Sequence, residues 1–343
     1  MKALVKQQPG YNQMELLEVE EPRAHKNLVK IKVHYTGVCG TDVHTYKGMY
    51  ANTRTPVTLG HEFSGEVVEI GEDVKNVSVG DRVTSETTFV TCGMCRYCKS
   101  KDYNLCDKRK GIGTQQDGSF AQYVITREES VHKLPDNVSY KAAALTEPLA
   151  CCTHAAMEKT TINEGDVVLI VGPGPIGLLL AQVAKAQNAT VILSGITQDA
   201  PRLALGKELG VDRIVDSMTE DLSIVVAKYT DGYGADKVFD CSGSSIAVNQ
   251  ALPLTAKMGT FVQVGIFPKR MIELDSEAII QREIVYVGTR SQKPSSWELA
   301  LQLLSDGKIN TDKMITKIYP LVDWEQAFDD MIAGTEIKVL VES

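Results

Sequence analysis

The sequence predicts an α/β protein with two domains, a compact β-rich domain and a doubly wound parallel sheet. Three observations lead to this prediction. The chain has 343 residues, which suggests about two domains, and 43% of them are hydrophobic, enough to fill two cores. Residues 1–150 carry short strand-like runs separated by turns. From about Gly165 onward, apolar strands alternate with helical patterns.

The β-rich domain is predicted to comprise residues 1–150, and residues 290–343 form a tail. Alternating polarity and frequent glycine mark its strand-like runs, which are LVKIKVHYTGV, EFSGEVVEIG, DRVTSE and FAQYVIT. The tail contains an amphipathic helix, SSWELALQLLSDG, and ends on the strand-like run IKVLVE. The chain shows no internal repeat and no low-complexity segment.

The second domain is predicted to comprise residues 151–289. Its strands VVLIV and TVILSG flank a helical pattern, and the alternation continues through DRIVD, ADKVFDCSG, GTFVQVG and IVYVG. Strands that are apolar throughout are typical of a parallel sheet with helices on both faces.

A glycine motif joins the first strand of this sheet to its helix. Gly172, Gly174 and Gly177 form G-x-G-x-x-G, with Pro175 and Ile176 inside it. In this context the first glycine permits the turn, the second allows a pyrophosphate to approach, and the third lets the helix pack closely. The helix N-terminus then offers free N–H groups to phosphates. The motif predicts a dinucleotide site, and a purely structural turn is the alternative.

The next strand departs from the pattern expected for NAD. An acid about 20 residues after the glycines usually binds the adenosine ribose, and Gly195 stands at that position. Asp199 lies farther along, and Arg202 could neutralise a 2′-phosphate. The sequence therefore favours NADP slightly over NAD. The alternatives are that Asp199 folds back to the ribose, or that Arg202 only stacks on adenine.

Four cysteines lie within fifteen residues in the pattern C-x2-C-x2-C-x7-C, namely Cys92, Cys95, Cys98 and Cys106. Thiolates suit tetrahedral Zn²⁺, and a set of four leaves no position open for a substrate. Disulfides would fit the spacing, but the first residues contain no apolar secretory segment. The pattern predicts a structural zinc site that holds a loop.

A second group of metal-binding residue types occurs earlier in the chain. Cys39 lies in GVCGTDVH, while His61 and Glu62 lie in LGHEFSG. Each has an ordinary alternative, since an isolated cysteine is often a buried apolar residue and an isolated histidine is seldom a ligand. Three protein ligands with one open position are typical of catalytic zinc. Their occurrence together with the four-cysteine loop predicts such a site.

These motifs, with Gly80-Asp-Arg-Val83 and Glu147-Pro148, resemble those of the zinc-dependent medium-chain dehydrogenases, particularly the sorbitol (polyol) and threonine dehydrogenase branch. The similarity extends from MKALV to IKVLVE. It implies that the tail returns to the first domain, so that residues 1–150 and 290–343 form a GroES-like catalytic domain and residues 151–289 form a Rossmann domain. It also implies two zinc ions per chain, NAD or NADP, and a homodimer or homotetramer.

The resemblance also implies roles for individual residues. Cys39, His61 and Glu62 would bind the catalytic zinc, with Glu147 at the edge of its shell as a possible ligand. Thr41 and His44 would relay a proton to solvent. Arg290 resembles an arginine that contacts substrate hydroxyls, while Cys151 and Cys152 have no ligand role and are interpreted as core residues.

The implied activity is hydride transfer between a secondary alcohol, a polyol such as sorbitol, and NAD(P). L-Threonine 3-dehydrogenase and polyol-phosphate dehydrogenase are the alternatives among enzymes. A zinc-free reductase of the same superfamily would lack both cysteine patterns. A catalytically idle structural protein of the same fold is the alternative outside enzymes.

Charge and hydropathy exclude other classes of partner. The net charge is −8 and the isoelectric point about 5.4, which argues against binding to nucleic acid or to an anionic membrane. No apolar run approaches the ~18 residues that a membrane-spanning helix needs. Free thiols and zinc thiolates indicate a reducing, cytoplasmic setting.

Overall fold

A computed structural model describes all 343 residues, and the chain divides into two compact units. The first unit comprises residues 1–150, 292–306 and 314–343, and the second comprises residues 151–291 and 307–313. Residues 307–313 thus group with the second unit, although they lie within the tail that the sequence assigned to the β-rich domain.

Strands dominate residues 1–150. They are β1 (Lys2–Lys6), β2 (Met14–Glu18), β3 (Leu28–Gly37), β4 (Val57–Thr58), β5 (Glu62–Ile70), β6 (Arg82–Ser85), β7 (Thr88–Val90), β8 (Lys110–Gly111), β9 (Tyr123–Arg127) and β10 (Val131–Lys133). The helices are short: α1 (Gly40–Tyr46), α2 (Arg96–Lys99), α3 (Tyr140–Ala143) and α4 (Thr146–Thr153), which continues as a π-helical turn (His154–Glu158).

Strands and helices alternate in the second unit. The strands are β11 (Val167–Val171), β12 (Thr190–Gly195), β13 (Arg213–Asp216), β14 (Ala235–Asp240), β15 (Thr255–Gln263) and β16 (Val285–Gly288). The helices are α5 (Pro175–Ala186), α6 (Ala200–Glu208), α7 (Leu222–Tyr229), α8 (Ser245–Ala251) and α9 (Ser276–Gln281).

The tail contains more elements than the single helix and strand expected. They are α10 (Pro294–Ser305), α11 (Thr311–Met314), β17 (Ile315–Pro320), α12 (Trp324–Ala333) and β18 (Lys338–Glu342). Single 3₁₀ turns occupy Tyr103–Leu105, Glu128–Ser130, Thr197–Asp199, Leu252–Leu254 and Leu321–Asp323. No helix combines the length and the apolar character that a bilayer crossing requires.

Each unit is built on its own kind of sheet. The first unit has a seven-stranded sheet in the order β10-β6-β5-β3-β18-β17, with β9 also on β3, and a three-stranded sheet β2-β1-β4. The second unit has a parallel six-stranded sheet in the order β13-β12-β11-β14-β15-β16. All five residues of β11 are buried, as expected for a parallel sheet covered on both faces. The predicted α/β class is confirmed.

One apolar core of the first unit includes the residues next to Cys39 and His61. Helix α12 packs there against β18, and the core contains Val38, Leu59, Phe120, Phe328 and Val339. Val38 immediately precedes Cys39, and Leu59 lies two residues before His61. Burial of these two apolar side chains therefore fixes the backbone on which both polar side chains stand.

Candidate metal centres and dinucleotide turn

Two neighbouring antiparallel strands bring the first metal-ligand group together. Cys39 caps the N-terminus of α1, two residues after β3 ends, and Glu62 begins β5. The strand register places Gly37 opposite Glu62, with His61 just outside the pairing. The ligand atoms of Cys39, His61 and Glu62 lie within 4.8 Å of one another. A Cβ atom at Gly37 would overlap the Glu62 carboxylate, so glycine is needed there.

Asp42 fixes the relative position of the two ligand segments. Its buried carboxylate accepts hydrogen bonds from the Cys39 N–H at 3.0 Å and from the Gly60 N–H at 3.4 Å. The same carboxylate lies 3.6 Å from Nδ1 of His61, an ion-pair separation. A carboxylate beside a ligating histidine orients the ring and raises its basicity. Sequence reasoning missed Asp42, although an acid three residues after a helix cap was a usable signal.

Lys338 places a buried positive charge beside the same group. Its ammonium forms an ion pair with the Glu62 carboxylate and donates to the Val38 carbonyl at 3.2 Å. Only 3% of the residue is exposed. It arrives through β18, which pairs antiparallel with β3. No local signal marks this lysine, because the Val38 carbonyl that it contacts lies 300 residues away along the chain.

Glu147 lies near Cys39, His61 and Glu62, but its carboxylate does not belong to the group whose ligand atoms lie within 4.8 Å of one another. It occupies the first turn of α4 and is buried, and its Oε1 accepts a hydrogen bond from Nε2 of Gln292 at 2.9 Å. Burial raises the pKa of Glu147 to about 7, and nearby Glu62 adds to this rise. Gln292 itself was not predicted from the sequence.

The chemistry of the group fits a zinc ion. A thiol, an imidazole and a carboxylate converge, which is a mixed donor set that Zn²⁺ binds. Burial raises the pKa of the Cys39 thiol, while Asp42 and Cys39 outweigh burial and hold the pKa of His61 well above its usual value. A divalent cation would displace these protons, since ligands bind in their deprotonated forms. Three protein ligands leave a coordination position for a substrate.

The four-cysteine loop brings its sulfur atoms together without a disulfide. The Sγ atoms of Cys92, Cys95, Cys98 and Cys106 lie within 4.8 Å of one another, and all four cysteines are free. Sγ of Cys98 lies 3.5 Å from Cys95 and 3.8 Å from Cys92. Zn–S bonds of about 2.3 Å in a tetrahedron require sulfur separations of about 3.8 Å. Backbone N–H groups of Met94 and Cys95 lower the pKa of Cys92 to about 6, which favours a thiolate.

The other residues that the sequence analysis singled out lie on α1, on α4 and after β16. Thr41 is half-buried and His44 is exposed, and both lie on α1 directly after Cys39. Arg290 is exposed and follows β16 in the second unit. In α4, Cys152 is buried and Cys151 half-buried, in keeping with their interpretation as core residues.

The glycine turn follows β11 and opens α5, the context that the motif requires. Gly172 has φ +98°, and a Cβ atom there would lie 2.9 Å from the Ser242 nitrogen. Gly174 caps the helix, and a Cβ atom there would meet nothing within 4 Å, so space remains in front of the helix N-terminus. At Gly177 a Cβ atom would overlap the Gly172 carbonyl oxygen. Pro175 and Ile176 begin the helix.

The end of β12 differs from the sequence expectation in one respect. Asp199 folds back beside Gly195, and its carboxylate accepts a hydrogen bond from the Ile196 N–H at 3.1 Å. Its other oxygen lies 3.9 Å from the Arg202 guanidinium. Asp199 and Arg202 therefore lie together at the end of this strand. A Cβ atom on Gly195 would lie 2.9 Å from the Pro173 side chain.

Comparisons with known proteins agree with this geometry. Residues 25–136 match the alcohol dehydrogenase GroES-like domain, and residues 175–306 match the zinc-binding dehydrogenase family. The D-arabitol-phosphate dehydrogenase of Enterococcus avium is 59% identical, over 100% of this chain and 97% of that protein. The sorbitol dehydrogenase of Halalkalibacterium halodurans is 54% identical, over 99% of each chain.

A solved structure shows the same arrangement throughout. It is that of a Sinorhizobium meliloti protein described as a zinc-binding dehydrogenase and bound to NADP, with a TM-score of 0.92 and 33% identity. The match covers 100% of this chain and 99% of the other. The chain is therefore a zinc- and NAD(P)-dependent oxidoreductase, and it belongs to the polyol dehydrogenase branch of the zinc-dependent medium-chain dehydrogenases.

Proposed function

We propose that the protein oxidises a secondary hydroxyl of a polyol, or of a polyol phosphate, at the group formed by Cys39, His61 and Glu62. The convergence of these three ligand atoms within 4.8 Å carries the proposal. Bound there, zinc supplies a Lewis acid that lowers the pKa of a substrate hydroxyl. Glu147 contributes a second carboxylate at the edge of the group, and Lys338 balances the charge of Glu62.

Thr41 and His44 are proposed to carry the hydroxyl proton away. They lie three residues apart on α1, so their side chains project from the same side of the helix. The Thr41 hydroxyl would receive the proton on the half-buried side, and the exposed His44 imidazole would pass it to water. Imidazole is the side chain that most often serves as a general acid and base in such exchanges. We retain Arg290 as a proposed contact to substrate hydroxyls.

The glycine turn is proposed to bind the pyrophosphate of the dinucleotide. Gly174 leaves room for the phosphates, and the first N–H groups of α5 point toward them with the positive end of the helix dipole. The dinucleotide supplies the nicotinamide ring that accepts or gives the hydride. Gly172, Pro175, Ile176 and Gly177 shape this turn.

The substrate class is best tested with a panel of polyols. Sorbitol, xylitol and D-arabitol, each free and phosphorylated, are assayed with NAD and NADP in parallel, beside L-threonine and a simple alkanol. We expect kcat/KM at least about tenfold higher for one polyol or its phosphate, because a site that binds several hydroxyls rejects analogues that lack them. Nicotinamide absorbance is the measurement. Turnover of L-threonine alone, or of none, would contradict the proposal.

The phosphorylated polyols belong in this panel for a specific reason. The relative that is 59% identical is named for a polyol phosphate, and the one that is 54% identical for the free polyol. A higher kcat/KM for the phosphorylated polyols than for the free polyols would identify a polyol phosphate as the substrate.

We infer that both dinucleotides bind, with a slight preference for NADP. Arg202 can pair with a 2′-phosphate, while Asp199 beside Gly195 can accept a hydrogen bond from a ribose hydroxyl. The Sinorhizobium meliloti neighbour was solved with NADP, which supports the same preference.

Asp199→Asn is expected to raise the preference for NADP, and Arg202→Ala to lower it. Two charges about 4 Å apart interact by ~4 kcal/mol at an effective dielectric of 20, so a change of about tenfold after solvent screening is reasonable. The measurement is kcat/KM for both dinucleotides. Gly195→Asp is a poorer test, because its side chain would collide with Pro173.

Arg213→Ala is the matched control for this test, since Arg213 is an arginine of the same unit paired with Glu220 outside the glycine turn. It should leave the ratio of the two kcat/KM values unchanged. A parent enzyme that already prefers NAD by tenfold or more would show that Asp199, and not Arg202, governs the choice.

We further propose a structural zinc at the four-cysteine loop, hence two zinc ions per chain, and a homodimer or homotetramer in the cytoplasm. The edge strand β16 and its surroundings expose apolar side chains, among them Val285, Ile280 and Met258. An exposed apolar strand edge favours pairing, and a second copy of this chain would cover it. Grouped metal-binding thiols indicate a reducing compartment.

A further inference from the structure

Gln292 makes a buried hydrogen bond to Glu147, and the proposed function has assigned no role to this residue. Only 4% of the residue is exposed. Its amide nitrogen donates to Glu147 Oε1 at 2.9 Å and to the Thr87 hydroxyl at 3.2 Å. Both amide hydrogens therefore have an acceptor, and the side chain is held from two directions.

Thr87 connects this contact to Arg109, which is half-buried. Its hydroxyl also accepts a hydrogen bond from the Arg109 guanidinium at 2.8 Å, and a second nitrogen of Arg109 donates to the Thr88 hydroxyl at 2.9 Å. Arg109 follows the last cysteine of the four-cysteine loop, and its N–H donates to the Cys106 carbonyl at 2.9 Å. A hydrogen-bonded path thus leads from that loop to Glu147.

A second contact ties the same segment to the loop. Lys293, the neighbour of Gln292, forms an ion pair at 3.5 Å with Asp102, which lies between Cys98 and Cys106. Lys293 therefore contacts the four-cysteine loop directly, and Gln292 is connected to it through Thr87 and Arg109, just before α10 begins.

We propose that Gln292 is a positioning residue that orients the Glu147 carboxylate beside the Cys39, His61 and Glu62 group, and that the four-cysteine loop supports it through Thr87 and Arg109. The inference rests on the proposed function, in which that group holds the reactive metal. Removal of a residue that hydrogen-bonds to a metal ligand typically lowers the metal affinity or the activity 10- to 100-fold. Gln292 would thereby give the cysteine loop a role in the reaction as well as in stability.

Gln292→Leu removes both donors at nearly constant volume. We expect kcat to fall about 10- to 100-fold with a smaller change in KM, and the affinity for Co²⁺ at the weaker of the two metal sites to fall by a similar factor. The visible absorption of bound Co²⁺ should shift, because the carboxylate next to the metal has turned. Thermal unfolding reports whether the fold is kept. Gln302→Leu is the control, since Gln302 donates to Asp306 at the surface of α10.

Thr87 supplies a second test that does not depend on the folding of Gln292→Leu. Thr87→Val removes the shared hydroxyl at the same size, and Thr87→Ser retains it. The valine variant should reproduce the loss of kcat and of Co²⁺ affinity, and the serine variant should resemble the parent. Unchanged kcat and Co²⁺ spectra in Thr87→Val and in folded Gln292→Leu would overturn the inference. A parent without polyol turnover would overturn the proposed function instead, and the Co²⁺ measurements would still decide the role of Gln292.

Discussion

Cys39→Ser is expected to abolish turnover while the protein keeps its fold and one zinc ion per chain. A serine hydroxyl is a far weaker zinc ligand than a thiolate, so the remaining His61 and Glu62 would not retain the reactive metal. Lewis-acid stabilisation is worth several kcal/mol, and its loss should lower kcat by about 10³-fold or more. Elemental analysis beside steady-state kinetics is the measurement, with thermal unfolding to report on the fold.

Cys151→Ala is the matched control, because Cys151 lies in neither cysteine group that could hold a metal. It should retain two zinc ions and turnover close to that of the parent. A fully active parent that contains one metal ion or none would contradict the assignment of two sites with different roles.

Cys95→Ser should have the opposite profile, with loss of stability as the primary effect. The four thiols hold a loop that has only short helical turns, α2 and Tyr103–Leu105, to order its backbone. Structural zinc contributes about 10 kcal/mol or more in small peptides. If only part of this is lost, the Tm should still fall by about 10 °C or more at a few degrees per kcal/mol.

The comparison with Cys39→Ser separates the two sites. The Tm of Cys39→Ser should lie within a few degrees of that of the parent. Cys95→Ser should release its metal to a chelator and unfold at a lower temperature. A Cys95→Ser protein with two zinc ions and the Tm of the parent would show that the loop does not bind metal.

Local patterns predicted much of the candidate site. The four cysteines are close in sequence, so one loop can gather them, and their spacing alone indicates the ligand set. The strand runs before Cys39 and at Glu62 are long enough to be recognised, and antiparallel pairing then brings the two residues together. The glycine turn was recognisable because an apolar strand precedes it and a helix follows it.

Residues that depend on distant pairing could not be predicted. Lys338 and Gln292 reach the group from the end of the chain and are ordinary residue types without a motif. Asp199 was noticed in the sequence, but only the 3₁₀ turn at Thr197–Asp199 shows that it returns to the end of β12. Among the extra tail elements, α11 has only four residues and no periodic pattern, whereas α12 has ten residues with one apolar face and could have been recognised.

The strand that carries Lys338, β18, follows the whole second unit in chain order, yet it lies inside a sheet between β3 and β17. The first unit therefore cannot complete its seven-stranded sheet until residues 151–291, the greater part of the second unit, have been synthesised. Until then β3 has an open edge, and such edges invite pairing with other nascent chains. A product that stops before residue 338 would contain both groups of residues that could hold a metal and the whole glycine turn, but it would lack this interior strand. Synthesis of β18 is thus the event that commits the first unit to its final structure.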